Sequence, residues 1–192
     1  MDQFQSAQFQ SAQFAYQANT MIQYFENLAK YYQHRIQIPR VNIKGPGWNT
    51  SGWVSSDNAY GRKTQRYEGP TKGKWPEGSG KWKNYDDNIS YEGFWQDGRP
   101  HGYGRYMEQS RVVYEGEFEC GVPCGHGTYR WDNGTYYMGN VRDGLDGWGM
   151  IVSGESKFMD NWRQGRRSGD GVFIQGRTQI CYLNNVPRTV VY

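Results

Sequence analysis

Residues 91–106 read YEGFWQDGRPHGYGRY, and this segment predicts the architecture of most of the chain. From Tyr91 to Trp95, the residues Tyr, Gly and Trp occupy every second position, which is the period of a β-strand. Asp97-Gly98 then supplies a tight turn, because glycine takes a positive φ without a Cβ clash. From Gly102 to Tyr106, Gly and Tyr again occupy alternate positions, as in a second strand. The segment therefore predicts a β-hairpin.

The hairpin segment recurs along the chain. Further copies begin at Tyr67, Tyr114, Tyr137 and Phe158, and a half copy begins at Cys181, which makes about five and a half units. One hairpin is only marginally stable in water, whereas stacked units stabilise one another as a linear array. The chain has 26 Gly, 16 Tyr and 8 Trp but is only 36% hydrophobic, and this composition favours a thin sheet over a thick core.

The glycines of the repeat predict close contacts with aromatic rings. Glycine weakens a strand unless a neighbouring group must approach its backbone. We therefore expect rings to lie flat over the glycines of the adjacent strand, in three columns. The columns are Tyr67, Tyr91, Tyr114, Tyr137 and Phe158; Trp95, Phe118, Val141 and Trp162; and Trp82, Tyr106, Tyr129, Ile151 and Phe173.

Residues 1–37 are predicted to form a Gln-rich arm that continues into an amphipathic helix. Residues 4–14 read FQSAQFQSAQF, which offers too little apolar surface to fold alone. From about residue 12, apolar side chains recur at alternating spacings of four and three, which places them on one seam of a helix. The seam consists of Phe14, Ala18, Met21, Phe25, Leu28 and Tyr32. Pro39 ends the helix just beyond Ile36.

The seam has two candidate partners, the protein's own sheet and another protein. A helix of about 20 residues is only marginally stable unless its apolar side is packed. Because a single-layer sheet offers limited area, we expect another chain to bury the seam at least partly.

The chain divides into the arm and helix at 1–37, an extended linker at 38–66 and the repeat array at 67–192. The linker is rich in Gly, Pro and Trp and has room for one degenerate hairpin. The predicted fold class is mainly β, an elongated single-layer antiparallel sheet of tandem β-hairpins preceded by one N-terminal α-helix.

Charge and cysteine content exclude several classes of protein. The formal net charge is +3 and basic residues alternate with Asp and Glu, so no nucleic-acid partner is expected. The three cysteines, Cys120, Cys124 and Cys181, do not make a disulfide framework, which favours a reducing compartment such as the cytoplasm. No apolar run approaches the roughly 20 residues that span a bilayer, and no secretory signal is visible.

No catalytic, cofactor-binding or metal site is predicted. Cys120, Cys124 and His126 resemble a metal cluster, but zinc requires a fourth ligand and convergence on one point. His101 lies at the start of a strand without an orienting partner of the kind that a catalytic base needs. The glycines at 102 and 104 lie inside a strand that no helix follows, so they do not form a phosphate-binding loop.

The units resemble MORN repeats (membrane occupation and recognition nexus), whose pattern is Tyr-Glu-Gly-x-Trp-x-x-Gly-x-x-x-Gly-x-Gly. Tyr91–Gly104 follows this pattern almost residue for residue, and Tyr114–Gly127 differs by Phe118 in place of Trp. The resemblance covers residues 67–185, and one clear departure is Asp160 in place of a glycine.

The resemblance implies a scaffold or partner platform of the kind found in cytoskeletal, ciliary and membrane-junction proteins. We expect a non-catalytic structural adaptor, not an enzyme, that docks other protein subunits through its aromatic groove and N-terminal helix. The expected setting is a large cytoskeletal or ciliary (axonemal) assembly, with an organelle-associated complex as the alternative, and the oligomeric state stays open. The expected contact residues are Phe14, Ala18, Met21, Phe25, Leu28, Tyr32, Tyr91, Trp95, Tyr114, Phe118, Tyr137 and Trp162.

The alternative function is a membrane-surface module that binds acidic phospholipids. Clustered Lys and Arg contribute about 1 kcal/mol each near an anionic surface. The candidate groups are Arg163, Arg166, Arg167 and the Lys72–Lys83 stretch. Since acidic residues lie among them, we expect at most a weak contact with acidic membranes.

Overall fold

The computed structural model describes residues 3–32, 35–44, 52–54, 64–167 and 169–190. The chain forms two compact units. Ile36–Arg130 make up the middle unit, and Met1–Arg35 with Trp131–Tyr192 make up the terminal unit.

The middle unit is an antiparallel sheet of tandem hairpins. Its strands are β1 (Ile43–Lys44), β2 (Gly52–Val54), β3 (Gln65–Glu68), β4 (Thr71–Lys72), β5 (Trp75–Pro76), β6 (Gly78–Asn84), β7 (Ile89–Gln96), β8 (Arg99–Glu108), β9 (Arg111–Glu119) and β10 (Val122–Arg130). Strands β1, β2, β3 and β6 to β10 pair in chain order, while β4 and β5 form a separate ribbon. The β1–β2 pair lies where the sequence left room for a degenerate hairpin.

The terminal unit contains the helix and a second run of hairpins. Its elements are α1 (Gln3–Tyr32), β11 (Tyr136–Arg142), β12 (Leu145–Ser153), β13 (Ser156–Arg163), β14 (Arg166–Arg167), β15 (Gly171–Gln175), β16 (Thr178–Leu183) and β17 (Val186–Val190). The long strands pair antiparallel in chain order, and β14 pairs with the end of β13. The predicted fold class, a mainly β protein of antiparallel tandem hairpins after one N-terminal helix, is confirmed.

The helix starts at Gln3, well before residue 12, where the sequence pattern placed its beginning. Gln and Ala have good helix propensity, and their density before residue 12 extends the helix through the low-complexity segment. The division of the sequence at 37 and 66 follows composition and stays a prediction. The compact units divide the chain differently, since the helix belongs to the same unit as the later hairpins.

The predicted hairpin turns are confirmed. Asp97 and Gly98 have φ values of 48° and 77°, so both central residues are left-handed, as in a type I′ turn. Cys120-Gly121 and Gln164-Gly165 repeat this geometry. The positive φ of the first residue in each turn is less expected than that of the glycine, because a non-glycine residue seldom adopts a positive φ.

The aromatic columns form the buried side of both sheets. Within the middle unit, cross-strand pairing places Tyr91 between Trp82 and Tyr106. The Tyr91 ring also meets the edges of Trp95 and Phe118 at centroid distances of 5.1 and 5.0 Å. Every residue of the three predicted columns is buried. Edge-to-face packing of this kind stabilises the array beyond the burial of apolar area alone.

Tyr91 also shows why the repeat contains paired glycines. Its ring lies across Gly93 and Gly104, which face each other on β7 and β8, and a Cβ at either position would collide with it. The Tyr91 hydroxyl donates to the Phe94 carbonyl at 3.0 Å. Burial raises the pKa of this hydroxyl well above its ordinary value. The same bond, to the carbonyl three residues ahead, is made by Tyr67, Tyr114 and Tyr137.

The first part of the predicted linker is bound to the hairpin turns of the middle unit. The backbone N–H of Ile38 donates to the Gly121 carbonyl at 3.0 Å, and that of Val41 donates to the Gly98 carbonyl at 2.7 Å. Ile38 and Val41 are also buried. This segment is therefore a strap that ties successive turns together.

We predict that Gly104→Val destabilises the protein by about 3 kcal/mol, because the added carbons overlap the Tyr91 ring and the backbone around it is packed. Urea denaturation followed by circular dichroism measures the change. Gly169→Ala is the matched control, since a Cβ there meets no atom within 4 Å and no positive φ opposes it. Equal stability of the two variants would contradict the contact between ring and glycine.

Candidate partner-binding surfaces

The helix packs on the aromatic side of the terminal sheet. The Phe14 and Phe173 rings lie 6.0 Å apart between centroids. The Tyr182 hydroxyl donates to the Asn19 side-chain oxygen at 3.0 Å. Phe173 and Tyr182 belong to the same face of the sheet, because β15 and β16 pair Phe173 with Ile180 and Gly171 with Tyr182.

Part of the predicted helical seam is covered by the chain itself, and burial of the rest by another chain stays a prediction. Ala18, Ile22, Phe25 and Ala29 are at most 4% exposed. Phe14, Met21 and Leu28 are half-buried at the side of this line, and the side chain of Tyr32 lies outside the described residues. The buried line is thus centred one position away from the predicted seam. Two alanines on it allow the helix to approach the sheet closely.

The six array residues expected to contact partners are core residues of their units. Tyr91, Trp95, Tyr114, Phe118, Tyr137 and Trp162 are at most 2% exposed. Each ring packs against its neighbours along the columns, so it presents almost no surface to a second protein. A role for these six residues in partner binding stays a prediction.

A second set of positions, which are exposed, was not included in the predicted columns. The middle residue of each Gly-x-Gly segment alternates away from the buried rings and lies on the outer face of its sheet. These residues are Ser79, Tyr103, His126, Trp148 and Asp170, and all five are exposed. Tyr103 and Trp148 are more than half exposed. The period-two pattern alone was enough to find them.

The outer face of the middle unit also carries a row of paired charges. Lys81 Nζ lies 2.9 Å from Glu92 Oε1, and Arg105 Nε lies 2.9 Å from Glu115 Oε1. Tyr103 donates a hydrogen bond to the same Glu115 oxygen at 2.8 Å. This hydroxyl and the Arg105 guanidinium lower the pKa of Glu115. Exposed pairs of this kind contribute little stability, but they fill the wet face with compensated charge.

The terminal unit replaces one tyrosine–glycine contact with a buried ion pair. Phe158 has no hydroxyl, and Asp160 stands where the pattern has glycine. Asp160 Oδ2 accepts a bond from Arg167 Nε at 2.6 Å, and the guanidinium lies over the Phe158 and Tyr182 rings at 4.8 and 4.6 Å. Burial raises the pKa of Asp160, and the guanidinium opposes that rise. Arg167 is thus part of the core.

The suspected reactive side chains do not gather into a site among the described residues. No group of three or more His, Cys, Asp or Glu is placed to hold a metal ion there. Burial raises the pKa of the Cys124 thiol, which disfavours the thiolate. His126 Nδ1 lies 3.6 Å from Glu117 on the exposed face. The described helix is also too polar to cross a membrane.

We predict that Phe25→Ala lowers the free energy of unfolding by about 3–5 kcal/mol, because it leaves a cavity in a contact made within the chain. Tyr16→Ala is the control, since that ring is 74% exposed on the same helix. Urea denaturation of the isolated protein measures both. A Phe25→Ala variant as stable as the control would contradict the packing of the helix on its own sheet.

The comparisons with known proteins agree with the geometry of the hairpins. The family model of the MORN repeat matches residues 91–107, 114–136 and 161–175. Among curated proteins, none matches the chain. The first two matched segments contain the contacts of Tyr91 and Tyr114 with their glycines, and the third contains Arg167 of the buried ion pair.

Proposed function

The chain is a MORN-repeat protein, and we propose that it acts as a non-catalytic structural adaptor that docks partner proteins in a larger assembly. MORN repeats are generally modules for interaction with proteins or membranes. The setting that we propose is a cytoplasmic cytoskeletal or ciliary assembly, on the basis of the family resemblance.

The observation that supports protein docking is the exposure of large aromatic side chains at the outward Gly-x-Gly positions. Tyr103 is 57% exposed and Trp148 is 58% exposed, each on the outer face of its own unit. Packing of the sheet does not require a ring at this position, as Ser79 and Asp170 show. Tyr and Trp are the residues that most often dominate the energy of protein interfaces. The residues that recur in each unit thus form the sheet, while the outward residues that vary between units are available for contact with a partner protein.

The basic residues offer less support for the phospholipid alternative. Arg167 is buried against Asp160, and Lys81 pairs with Glu92. Of the first candidate cluster, Arg163 and Arg166 are exposed. Lys72, Lys74 and Lys83 are exposed as well, but each cation contributes only about 1 kcal/mol near an anionic surface, which is weak without an apolar anchor.

Affinity purification of the tagged full chain from cells that make it naturally tests this function. We expect the wild-type chain to retain a reproducible set of protein subunits at near-equal amounts. The double variant Tyr103→Ser/Trp148→Ser should lose at least one subunit by about tenfold or more, since 1.4 kcal/mol of contact energy corresponds to tenfold in affinity. Tyr16→Ser is the control, since that ring, on the helix, is even more exposed.

Three results would contradict the proposal. In the first, the wild-type chain would purify alone. In the second, the double variant would keep every subunit. In the third, the chain would sediment with acidic phospholipid vesicles and retain no protein. Melting curves of all variants must agree within a few degrees, so that lost binding is not lost folding.

A further inference from the structure

One row of apolar side chains crosses the outer face of the terminal sheet. Strand pairing aligns Met138 with Met150, Met150 with Met159, Met159 with Val172, and Val172 with Cys181. Met138 is 40% exposed and the other four are half-buried. We call this row, together with the neighbouring Trp148, Ile174 and Leu183, the methionine face.

The methionine face lies opposite the helix. Alternation along β15 and β16 turns Val172 and Cys181 away from Phe173 and Tyr182, which contact α1. The helix therefore does not cover this row. Trp148 and Leu183, on the same outer side, are at least half exposed.

The middle unit shows what the same positions look like on a solvated sheet. Its corresponding row is Lys81, Glu92, Arg105 and Glu115, aligned by strand pairing and joined in cross-strand ion pairs. The repeat therefore tolerates charge at every one of these positions. The terminal unit carries Met, Met, Met, Val and Cys there instead. An apolar row at positions where the repeat also accepts charge is a candidate interaction surface.

Unpaired basic side chains border the methionine face. Lys157 and Arg163 share the outer side of β13 with Met159, and pairing places Arg188 beside Cys181. Within the part of the chain that the structure describes, these three form no ion pair. Two carboxylates of this unit are held at turns: Asp146 accepts from the Gln164 N–H, and Asp170 accepts from the Asn184 N–H. The border therefore favours an acidic partner.

The dimensions of the face suit a single helix. Five strands at about 4.8 Å spacing span roughly 19 Å, and three outward positions on one strand span roughly 13 Å. A helix is about 10 Å wide, and about 13 residues of it cover this length. A stable dimer buries about 800 Å² on each partner, several times the roughly 250 Å² of this rectangle. A second copy of the chain would thus gain too little area here.

We propose that the methionine face binds an amphipathic α-helix of a partner protein, with acidic residues on both sides of the helix's apolar stripe. The proposal rests on the adaptor function above and names one of its surfaces and the class of partner. Flexible methionine side chains adapt to varied apolar groups, and the basic border pairs with the flanking carboxylates.

Fluorescence anisotropy with two labelled synthetic helical peptides tests the proposal on the full chain. Both peptides are about 16 residues long and carry the same Leu stripe, flanked by Glu in one and by Lys in the other. We expect the Glu-flanked peptide to bind about tenfold or more tightly than the Lys-flanked peptide. The double variant Met150→Arg/Met159→Glu, which copies the charged row of the middle unit, should weaken that binding by about tenfold or more. Met138→Glu, which copies Glu92 of the middle unit, serves as a second, single variant, and Tyr16→Glu is the control.

Equal binding of the two peptides, or unchanged binding by both face variants, overturns the proposal. So does sedimentation with acidic vesicles that the face variants abolish, which would make a lipid surface the occupant. A concentration-dependent dimer that the same variants dissociate would identify a second copy instead. If native subunits still co-purify while the peptides fail, the adaptor function stands and only the methionine face is wrong.

Discussion

The contact between a tyrosine ring and a pair of glycines is the constraint on which the rest of the structure depends. Tyr91 covers Gly93 and Gly104, and its hydroxyl closes the local strand by bonding the Phe94 carbonyl. Because glycine has no side chain, the ring can lie flat on the backbone and exclude water from a sheet that has only one layer. Repetition of this contact along the chain replaces the second layer that most sheets need. The columns, the edge-to-face ring contacts and the regular hairpin length all follow from it.

In the terminal unit, a buried ion pair takes the place of one contact between a tyrosine ring and glycine. Where Phe158 lacks the hydroxyl and Asp160 replaces the glycine, Arg167 fills the space and pairs with the carboxylate. The same unit differs on its other face, which is apolar where the middle unit is charged. The helix covers the aromatic side, so the outer side is the one that these substitutions leave for contact. The proposed adaptor function depends on the positions that the packing of the repeat does not specify.

Much of the fold could be predicted from the sequence because the same hairpin pattern recurs several times along the chain. The columns, the Asp97-Gly98 type of turn and the single helix were all predictable from period and composition. The partner of the helix was not, because an amphipathic pattern shows that a face is buried and does not show by which surface. Ile22 and Ala29 were missed because the predicted seam followed the larger apolar side chains, whereas both of these smaller residues are buried. The outward rows needed strand registers, which align residues from distant parts of the sequence.

The central claim, that Tyr91 is sealed over the glycine pair, is tested most directly by alkaline absorbance titration of the wild-type protein and Tyr91→Phe. A phenol exposed to water ionises with a pKa of about 10. Because burial raises the pKa of Tyr91, the neutral form stabilises the folded state below that pH, and this stability is lost as the pH rises further. The account predicts that the difference between the two curves shows no ionisation near pH 10, with the missing phenolate appearing only when the protein unfolds. A difference curve with an ordinary ionisation near pH 10 would contradict it.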